Sequence, residues 1–430
     1  MIKRLSVMRV RLAGIALMLA MPCVASAHTV ALPDETSAQE AATAAPLVGV
    51  YVATPAAPGS LAPYIASGAD GRVVMSWLEP TERGFALRFS SWADSGWSSP
   101  RTVAQGNNWF VNWADFPSVV PITADFWVAH WLVRRPAGGY AYDILVSVSK
   151  DGGGSWGTPF HPHRDDTDTE HGFVSIYPRD SGAGLVWLDG RNTAAGGGGM
   201  SLRSASLGFD GALHDEQEID ALTCDCCQTD AVSTRDGIIV AYRDRTLQEI
   251  RDIYVSRRDG STWTTGIPVA NDDWEIGGCP VNGPSLATDG NATVIAWFTA
   301  ANDKPRVRLS RSIDGGTTFS SPVNVVDGGT MGRVGVVLLR DGSAIVSAIT
   351  GSAKDSAQLT LVRVAADGVT GAPVTMANDV VPFSVPQIIV RGDTLLAAWT
   401  VRENNKTAIR SATTRLTLHA AEGVESAGSF

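Results

Sequence analysis

One repeated pattern dominates the amino-acid sequence and constrains the fold more than any other feature. Each copy is a short apolar strand, a turn that often contains Asp-Gly, and a second strand that ends in an aromatic residue. The closing aromatic residues are Trp77, Trp131, Trp187, Tyr242, Trp297 and Trp399. The first five follow one another at intervals of 54, 56, 55 and 55 residues, and the interval of 102 before the last fits two copies. Regular periods of this length built from short strands predict an all-β fold, a β-propeller of four-stranded blades.

The number of copies predicts the number of blades. Seven copies can be traced, of which the sixth, Val334–Ser347, lacks its aromatic residue. We therefore predict seven blades, with six as the alternative if one copy is a decorated hairpin. Little chain follows Leu418 to form a last strand, so residues 47–54 are expected to cross over and close the ring, which would hide sheet edges. No segment keeps the apolar period of about 3.6 residues that marks a helix, so helices should be scarce.

The N-terminal segment has the pattern of a signal peptide. A basic stretch at residues 1–11 precedes an apolar stretch at residues 12–21, which is too short to span a membrane, and Ala25-Ser26-Ala27 supplies the small residues of a cleavage site. Export would place the protein in the periplasm or outside the cell, which are oxidising compartments. The predicted organisation is a signal peptide at 1–27, a flexible lead-in at 28–45, a single propeller domain at 46–418 and a tail at 419–430.

The charge balance excludes two classes of partner. The chain has 34 Lys and Arg residues against 44 Asp and Glu residues, a net charge of −10. Binding to nucleic acid or to an anionic membrane surface needs a basic face, which this balance argues against. After residue 27 no apolar run reaches the roughly 18 to 20 residues that span a bilayer. We therefore predict no nucleic-acid partner and no membrane span, and nothing in the sequence indicates an oligomeric state.

Two turns carry a motif of their own. The segment from Ser149 to Trp156 fits the pattern Ser-x-Asp-x-Gly-x-x-Trp, which is the Asp box of the bacterial neuraminidase repeat, and the segment from Ser312 to Phe319 fits it with Phe in place of Trp. The motif residues are Ser149, Asp151, Gly153 and Trp156 in the first box, and Ser312, Asp314, Gly316 and Phe319 in the second.

The chain therefore resembles the sialidase (neuraminidase) superfamily of Asp-box propellers, and the resemblance covers the whole mature chain. Sialidases themselves have six blades. The resemblance implies that each box is a structural turn between the third and fourth strands of a blade. In such a turn the glycines adopt positive φ, the aspartate caps backbone amides and the aromatic residue packs between sheets.

The resemblance is more specific for fold than for activity. Active sialidases hold the sugar carboxylate with an arginine from an early Arg-Ile-Pro segment, where this chain has Leu61-Ala62-Pro63. Their nucleophile is a tyrosine late in the chain, paired with a glutamate, whereas this chain has no tyrosine after Tyr254. Both departures argue against sialidase chemistry. An exo-acting glycosidase would then need a carboxyl pair as acid and base, and the candidates are Glu170, Asp189 and Asp244.

Loops from distant repeats should meet on one face of the propeller. These are the loops that lead into each innermost strand and the loops that follow each aromatic strand, and we call their shared side the top face. Candidate ligand-binding residues there are Arg134, Arg191, Arg243, Arg245, Asn282, Arg333 and Arg402. Converging guanidinium groups would form a pocket for a small anionic or glycan ligand. The alternative is that the arginines pair locally with Asp189, Asp244 or Glu403.

Four cysteines outside the signal peptide are also expected on the top face. Cys224, Cys226 and Cys227 share one loop, and Cys279 follows 52 residues after Cys227, at the next repeat. An even number of cysteines in an exported chain is typical of disulfides, here two. The alternatives are a thiolate site for Cu or Zn with His171 as a nitrogen ligand, and thiol–disulfide exchange by a strained pair.

These features support three hypotheses for function. The first is an exported propeller that binds an anionic or carbohydrate ligand in an Arg-, His- and Cys-lined pocket, with or without glycoside hydrolysis. The second is a periplasmic metal-binding or thiol-redox module built on the cysteines. The third is a non-catalytic scaffold that binds a partner, because a fold does not dictate a function. Two more histidines, His161 and His163, are interpreted as part of an exposed loop rather than as metal ligands.

Overall fold

Short strands joined by tight turns make up nearly all of the regular structure. The computed structural model describes residues 49–93, 96–194, 196, 198–351 and 357–416. The predicted signal peptide, lead-in and tail lie outside these ranges. Within the described ranges the helical elements are two 3-10 turns, Arg191–Thr193 and Ala301–Asp303. No helix among these residues is long and apolar enough to cross a membrane.

The strands follow one another in antiparallel groups along the chain. The first half contains β1 (Val50–Val52), β2 (Leu61–Ser67), β3 (Val73–Thr81), β4 (Gly84–Ala93), β5 (Gly96–Trp97), β6 (Arg101–Gly106), β7 (Ser118–Pro121), β8 (Trp127–Arg134), β9 (Tyr142–Ser149), β10 (His171–Arg179), β11 (Gly182–Asp189), β12 (Met200–Gly208) and β13 (Leu213–Thr223). The second half contains β14 (Asp230–Ser233), β15 (Ile238–Arg243), β16 (Ile253–Asp259), β17 (Thr262–Trp263), β18 (Ile267–Pro268), β19 (Ser285–Asp289), β20 (Ala292–Thr299), β21 (Arg306–Ser312), β22 (Val323–Asp327), β23 (Thr330–Leu338), β24 (Ala344–Thr350), β25 (Ala357–Val364), β26 (Val374–Val380), β27 (Gln387–Arg391), β28 (Thr394–Glu403) and β29 (Lys406–Arg415).

Hydrogen bonding defines the groups. Strands β2 to β6, β7 to β9, β10 to β13, β14 to β18 and β19 to β22 each form one sheet. Strands β23 to β26 form a further group, and β27 to β29 form another together with β1. These last two groups share one eight-stranded sheet, joined by the pair Val380 and Val401. Because of this shared sheet, the blade number predicted from the repeats stays a prediction.

The first strands of the groups form a ring, which makes the fold a β-propeller. Strand β2 contacts β7, β14 lies between β10 and β19, and β23 lies between β19 and β27. Strand β10 contacts β8 and β9, and β27 returns to contact β2, so the order of groups in the chain is also their order around the axis. Strand β1 pairs with β29, with Val50 opposite Thr413. The N-terminal strand thus completes the last group, as the sequence predicted for residues 47–54.

Apolar layers fill the spaces between neighbouring groups. One layer packs Val74 and Phe89 of the first group against Trp127 of the second. A layer of the same kind joins the last group to the first and includes Met75 and Ala398. The alternation of apolar and polar residues along each strand produces these layers, because successive side chains point to opposite faces of a sheet. The layers hold each sheet against its neighbours and fix the loops of the top face.

The repeated aromatic residues are buried and anchored by acids. Trp77, Trp187, Tyr242, Trp297 and Trp399 are each at most 1% exposed. In four groups the tryptophan Nε1 donates to a carboxylate that also binds an arginine: Trp77 with Glu79 and Arg88, Trp187 with Asp189 and Arg191, Trp297 with Asp272 and Arg308, and Trp399 with Asp379 and Arg410. The carboxylate satisfies the indole N–H, which would otherwise be left unpaired in the core.

Both Asp boxes form the predicted turns. In the first box the Ser149 hydroxyl donates to Asp151 Oδ1 over 2.8 Å and accepts the Gly153 N–H over 2.8 Å. Gly153 has a φ of 77°, the conformation that the motif glycine was expected to supply. The Trp156 ring lies edge-on to Phe89 of the neighbouring group, with 6.1 Å between ring centroids.

The second box repeats these contacts between β21 and β22. The Ser312 hydroxyl donates to Asp314 Oδ1 and accepts the Gly316 N–H, each over 2.8 Å. Gly316 has a φ of 80°, and Phe319 packs against the apolar layer between the fourth and fifth groups. The boxes are therefore structural turns, as the resemblance implied.

Candidate functional site

A polar channel runs between the innermost strands. Its volume is about 380 Å³, and residues from β2, β10, β14, β19, β23 and β27 line it. The lining includes the side chains of Tyr64, Asp115, Gln228, Asp230 and Arg333. Asp115 and Gln228 lie in loops that lead into innermost strands, so the channel opens toward the top face among polar groups.

A hydrogen-bonded group of three side chains lies beside the channel. The Tyr142 hydroxyl is 2.7 Å from Asp115 Oδ2 and 2.8 Å from Glu170 Oε1. Tyr142 begins β9, Glu170 immediately precedes β10, and Asp115 lies in the loop before β7. The Phe173 N–H donates to Asp115 Oδ1 over 2.8 Å, and Phe173 itself has a φ of 55°. A side chain at Gly172 would meet Asp115 Oδ2 at 1.8 Å, so only glycine leaves room for this carboxyl.

The surroundings of this group favour the protonated forms of its two carboxyl groups. Burial raises the pKa of Asp115 to about 7, against the lowering effect of the Tyr142 and Phe173 hydrogen bonds. Burial also raises the pKa of Glu170 to about 8, helped by the negative charges of Asp115, Asp225 and Cys279. A phenol has one proton and can donate to one carboxylate at a time, so the second carboxyl must itself donate to the phenol oxygen. The group therefore keeps a protonated carboxyl near neutral pH.

Asp225 is a second carboxylate close to Glu170. Its side chain forms an ion pair with Arg245, with 3.1 Å between Asp225 Oδ2 and Arg245 Nη1. Asp225 Oδ1 accepts the Met200 N–H over 3.4 Å. Asp225 lies within the cysteine loop, between Cys224 and Cys226, and no local pattern there distinguishes it as a functional acid. Glu170 and Asp225 thus bring two carboxyl groups to one part of the top face.

The other predicted acids have different surroundings. Asp189 is fully buried and bonds the Trp187 Nε1 over 2.8 Å and the Arg191 guanidinium over 2.7 Å. It therefore has the same structural role as the carboxylates that anchor tryptophans in three other groups. Asp244 is 8% exposed, and burial together with the charge of Asp220 raises its pKa to about 7. Of the predicted acids, only Glu170 combines a raised pKa with partial exposure.

The predicted arginines do not converge on one ligand pocket. Arg191 contacts the carboxylates of Asp165, Asp189 and Glu216. Arg245 pairs with Asp225 and Glu249. Arg243 is 2% exposed and donates four hydrogen bonds to the carbonyl oxygens of Asn282, Arg251 and Phe298. The expected convergence of these three arginines is therefore corrected. Arg191 pairs with Asp189 as the alternative predicted, whereas Arg245 pairs with other carboxylates and Arg243 binds carbonyl oxygens.

The remaining predicted ligand-binding residues are spread around the top face. The exposed Arg134 lies over the Phe110 ring at 5.1 Å, and the exposed Arg402 lies over the Phe383 ring at 5.9 Å. Asn282 is buried, and its Oδ1 accepts the Arg333 N–H over 2.8 Å. Of the predicted arginines, Arg333 is the one that lines the channel.

Three of the four cysteines, those that share one loop, lie close together. All four thiols are free in this structure. The Sγ atoms of Cys224, Cys226 and Cys227 all lie within 4.8 Å of one another, and those of Cys224 and Cys227 are 3.6 Å apart. Cys224 and Cys227 are buried, Cys226 is half-buried and Cys279 is exposed. The cluster therefore extends from the interior to solvent.

His171 does not belong to this cluster, which corrects its predicted role as a ligand beside the cysteines. Its ring points toward the preceding group, where Nε2 donates to Asp165 Oδ2 over 3.1 Å and Nδ1 donates to the Tyr142 carbonyl over 3.3 Å. The exposed-loop interpretation holds for His161 but is wrong for His163, which is 5% exposed. His163 is buried because its ring stacks on His171, with centroids 4.0 Å apart and planes at 8°.

The stacked histidines and their carboxylates are poorly suited to bind a metal ion. Asp143 and Asp165 each lie within 3.7 Å of nitrogen atoms of both rings. The lone pairs of an imidazole lie in its ring plane, so two parallel rings do not direct them at one ion. The Asp143 carboxylate also forms an ion pair with Arg135, with 3.0 Å between Arg135 Nη1 and Asp143 Oδ2, so it is already bound to a cation. We interpret this group as a histidine–carboxylate network that fixes the loop before β10.

The chain matches no protein-family model and no curated protein sequence. Among solved structures it is similar to the α-L-arabinofuranosidase Arb93A of Fusarium graminearum, with 12% identity, coverage of 87% of this chain and 98% of that chain, and a TM-score of 0.49. For the α-L-arabinanase of Penicillium chrysogenum the identity is 12%, the coverage 87% and 98%, and the TM-score 0.47. For the NanB sialidase of Streptococcus pneumoniae the identity is 11%, the coverage is 86% of this chain and 69% of that chain, and the TM-score is 0.43.

All three TM-scores lie below 0.5, so the function has to be argued from the side chains of this protein.

Proposed function

We propose that the protein is an exported, carbohydrate-binding propeller that hydrolyses glycosidic bonds, with Glu170 on the top face as the proton donor. The observation that carries the proposal is the Tyr142 hydroxyl between the carboxyl groups of Asp115 and Glu170, at 2.7 and 2.8 Å. A glycosidase needs a carboxylic acid that stays protonated at neutral pH, because that acid must protonate the leaving oxygen.

The burial of the three residues suggests their roles. Glu170 is half-buried, whereas Tyr142 is fully buried and Asp115 is 2% exposed, so Glu170 is the member of the group that a ligand can reach most easily. We therefore assign Tyr142 and Asp115 as positioning residues that hold the proton on Glu170. The catalytic residue is Glu170.

The reaction needs a proton acceptor as well. In the proposed step the Glu170 proton passes to the glycosidic oxygen, the bond from that oxygen to the anomeric carbon breaks, and water attacks the carbon. We assign Asp225 to accept the proton that the water releases, because its negative charge already acts on Glu170. A pair of carboxyl groups in these two roles is the usual machinery of glycoside hydrolysis.

The charge around the site favours a neutral glycan as substrate. Arg191 and Arg245 are bound to carboxylates, and Arg243 is bound to carbonyl oxygens. Arg333, which lines the channel, donates to the Val281 carbonyl oxygen. An anionic sugar needs arginines that are free to grip its carboxylate. The polar channel mouth, by contrast, offers carboxyl and amide groups that can bind sugar hydroxyls.

The test is a hydrolysis screen with a matched pair of variants. Aryl glycosides of common hexoses and pentoses and a panel of oligosaccharides are incubated with the wild type, and released sugar is measured. Glu170→Gln should lower kcat on oligosaccharides by about 10²- to 10⁴-fold. The loss should be smaller on aryl glycosides with good leaving groups, since these need less protonation.

Glu82→Gln is the control, because Glu82 is an exposed carboxyl on the turn between β3 and β4. It should behave as the wild type on every substrate. The proposal fails if the wild type hydrolyses no member of the panel, or if Glu170→Gln and Glu82→Gln have equal activity.

A further inference from the structure

The cysteine cluster has the composition and geometry of a metal site. Three sulfur atoms, from Cys224, Cys226 and Cys227, are all within 4.8 Å of one another. The fourth cysteine, Cys279, comes from the loop before β19, and its thiol interacts with that of Cys226. One loop thus brings three soft ligands together, and the loop of the neighbouring group adds a fourth beside Cys226.

Donors surround the sulfur atoms in the way that thiolates require. Arg251 Nη1 donates to Cys224 Sγ over 3.3 Å, and the Asn282 N–H donates to Cys227 Sγ over 3.3 Å. Arg251 is 3% exposed, so its contact with Cys224 is made in the interior. A thiolate accepts such hydrogen bonds well, and they stabilise its negative charge.

Two more guanidinium groups add positive charge. The charge of Arg243 acts on Cys224 and Cys227, and that of Arg333 acts on Cys226 and Cys227. Among the described residues neither arginine forms an ion pair with a carboxylate. Arg243 is 2% exposed, and a buried charge needs compensation. A disulfide is neutral, so anionic sulfur explains this arginine better than disulfide bonds do.

We propose that Cys224, Cys226 and Cys227 bind one thiophilic d¹⁰ metal ion, Cu(I) or Zn(II), on the top face, with Cys279 as a fourth ligand on the solvent side. Three thiolates suit a trigonal Cu(I) ion, whereas Zn(II) takes four ligands and would need Cys279. Three thiolates with Cu(I) retain a charge of −2, and four thiolates with Zn(II) retain the same charge. Nearby arginine guanidinium groups offset it. This inference is independent of the carbohydrate chemistry proposed above.

The exposure of the ligands provides a route for the ion. Cys279 is exposed and Cys226 is half-buried, whereas Cys224 and Cys227 are buried. An ion can therefore meet Cys279 and Cys226 first and then bind the inner pair. The competing state is a pair of disulfides, because an exported chain meets an oxidising compartment.

The experiment measures metal binding by the full-length mature protein. Protein isolated from its exporting host is analysed for metal and for disulfides by intact mass after alkylation without reduction. Reduced, metal-free protein is then titrated with Zn(II) or Cu(I) alone, each against a chromophoric competitor. We expect one ion per chain, and at least a 100-fold weaker affinity in Cys227→Ser.

Further variants separate the two metals and control for folding. Cys279→Ser should weaken Zn(II) binding at least tenfold, because Zn(II) needs four ligands, and should leave Cu(I) binding within about twofold, because three thiolates suffice for Cu(I). Asp143→Asn, in the histidine–carboxylate network, should bind metal as the wild type does. If Cys227→Ser does not fold, the half-buried Cys226→Ser replaces it, with thermal melting as the check.

Several results would overturn the proposal. One is two disulfides in the isolated protein together with no metal binding after reduction. A second is a folded Cys227→Ser or Cys226→Ser variant that binds the metal ion as tightly as the wild type. A third is loss of the metal ion in Asp143→Asn while the cysteine variants retain it.

Discussion

At the scale of single residues, the site depends on where protons lie. Tyr142 is fully buried and supplies one hydrogen between two carboxyl groups, so Asp115 and Glu170 cannot both be ionised without losing a hydrogen bond. Burial raises the pKa of both acids, and the negative charge of Asp115 raises the pKa of Glu170 further. The residue-level consequence is an acid that remains protonated where an exposed glutamate would be ionised.

Replacing Asp115 by Asn should flatten the pH dependence of stability. Burial raises the pKa of Asp115 from 3.8 to about 7, so the folded state binds this proton more tightly than the unfolded chain does. The contribution of Asp115 to the free energy of unfolding is therefore full at pH values below 3.8. As the pH rises from there to about 7, this contribution falls by about 1.4 kcal/mol per pH unit. Asn can still accept the Phe173 N–H and donate to Tyr142, but it does not titrate.

Denaturant unfolding of the wild type and Asp115→Asn at pH 5 and pH 7 measures this difference. We expect the variant to gain stability relative to the wild type as the pH rises. A difference in unfolding free energy that is the same at both pH values would contradict the raised pKa of Asp115.

The sequence predicted Glu170 but not its partners. Asp115 and Tyr142 are separated from Glu170 by more than 25 residues, and nothing in their local sequence marks them as neighbours. Their contact depends on how the loops before β7 and β10 pack, which no periodicity encodes. Arg243 was predicted on the top face, but as the last residue of β15 it turns inward to carbonyl oxygens.

At the scale of elements, the same small unit stabilises several groups. A tryptophan in the second strand lies opposite an arginine in the third, as Trp77 opposite Arg88 and Trp297 opposite Arg308, and a carboxylate bonds both. In three of the four units the arginine follows its tryptophan by 11 residues, so the sequence contains a signal for them. In the fourth unit Arg191 follows Trp187 by four residues, and Asp189, predicted as a catalytic candidate, bonds both and so has a structural role.

Removing the acid of one unit should destabilise the protein strongly. The Asp272 side chain is 4% exposed and bonds both Trp297 and Arg308. Asp272→Ala leaves an indole N–H and a guanidinium unpaired, and we expect a loss of about 3–5 kcal/mol of unfolding free energy. Asp327→Ala, at the exposed end of β22 in the same sheet as Trp297 and Arg308, should stay within about 0.5 kcal/mol of the wild type. Denaturant unfolding measures both, and equal stability of the two variants would contradict the role of the unit.

Strands were easier to predict than loops, for a physical reason. The strand positions follow from alternation of apolar residues and from Asp-Gly turns, which act locally. The Asp boxes likewise form by contacts within eight residues, from Ser149 to Trp156 in the first case. The stacking of His163 on His171 depends instead on the path of the loop between β9 and β10, and the sequence alone gave the wrong exposure for His163.

At the scale of the whole molecule, the ring places distant loops side by side. The repeat period predicted the ring, and the pairing of Val50 with Thr413 closes its last group. Closure leaves the loops as the main variable part of the surface, and function then depends on which loops meet. Here the loops before β10, β14 and β19 bring Glu170, Asp225 and Cys279 together, as the effect of the charges of Asp225 and Cys279 on Glu170 indicates.

This arrangement is expected to keep Glu170 protonated at neutral pH. Infrared spectroscopy measures it directly, because a protonated carboxyl has a stretching band that a carboxylate lacks, and most carboxyl groups of a protein are ionised at neutral pH. Spectra of the wild type and Glu170→Gln are compared from pH 6 to pH 10. We expect the wild type to show a protonated-carboxyl band that disappears around pH 8. The Glu170→Gln variant should lack this band at every pH. Identical spectra of the two proteins above pH 6 would show that Glu170 is ionised there and would contradict its role as the proton donor.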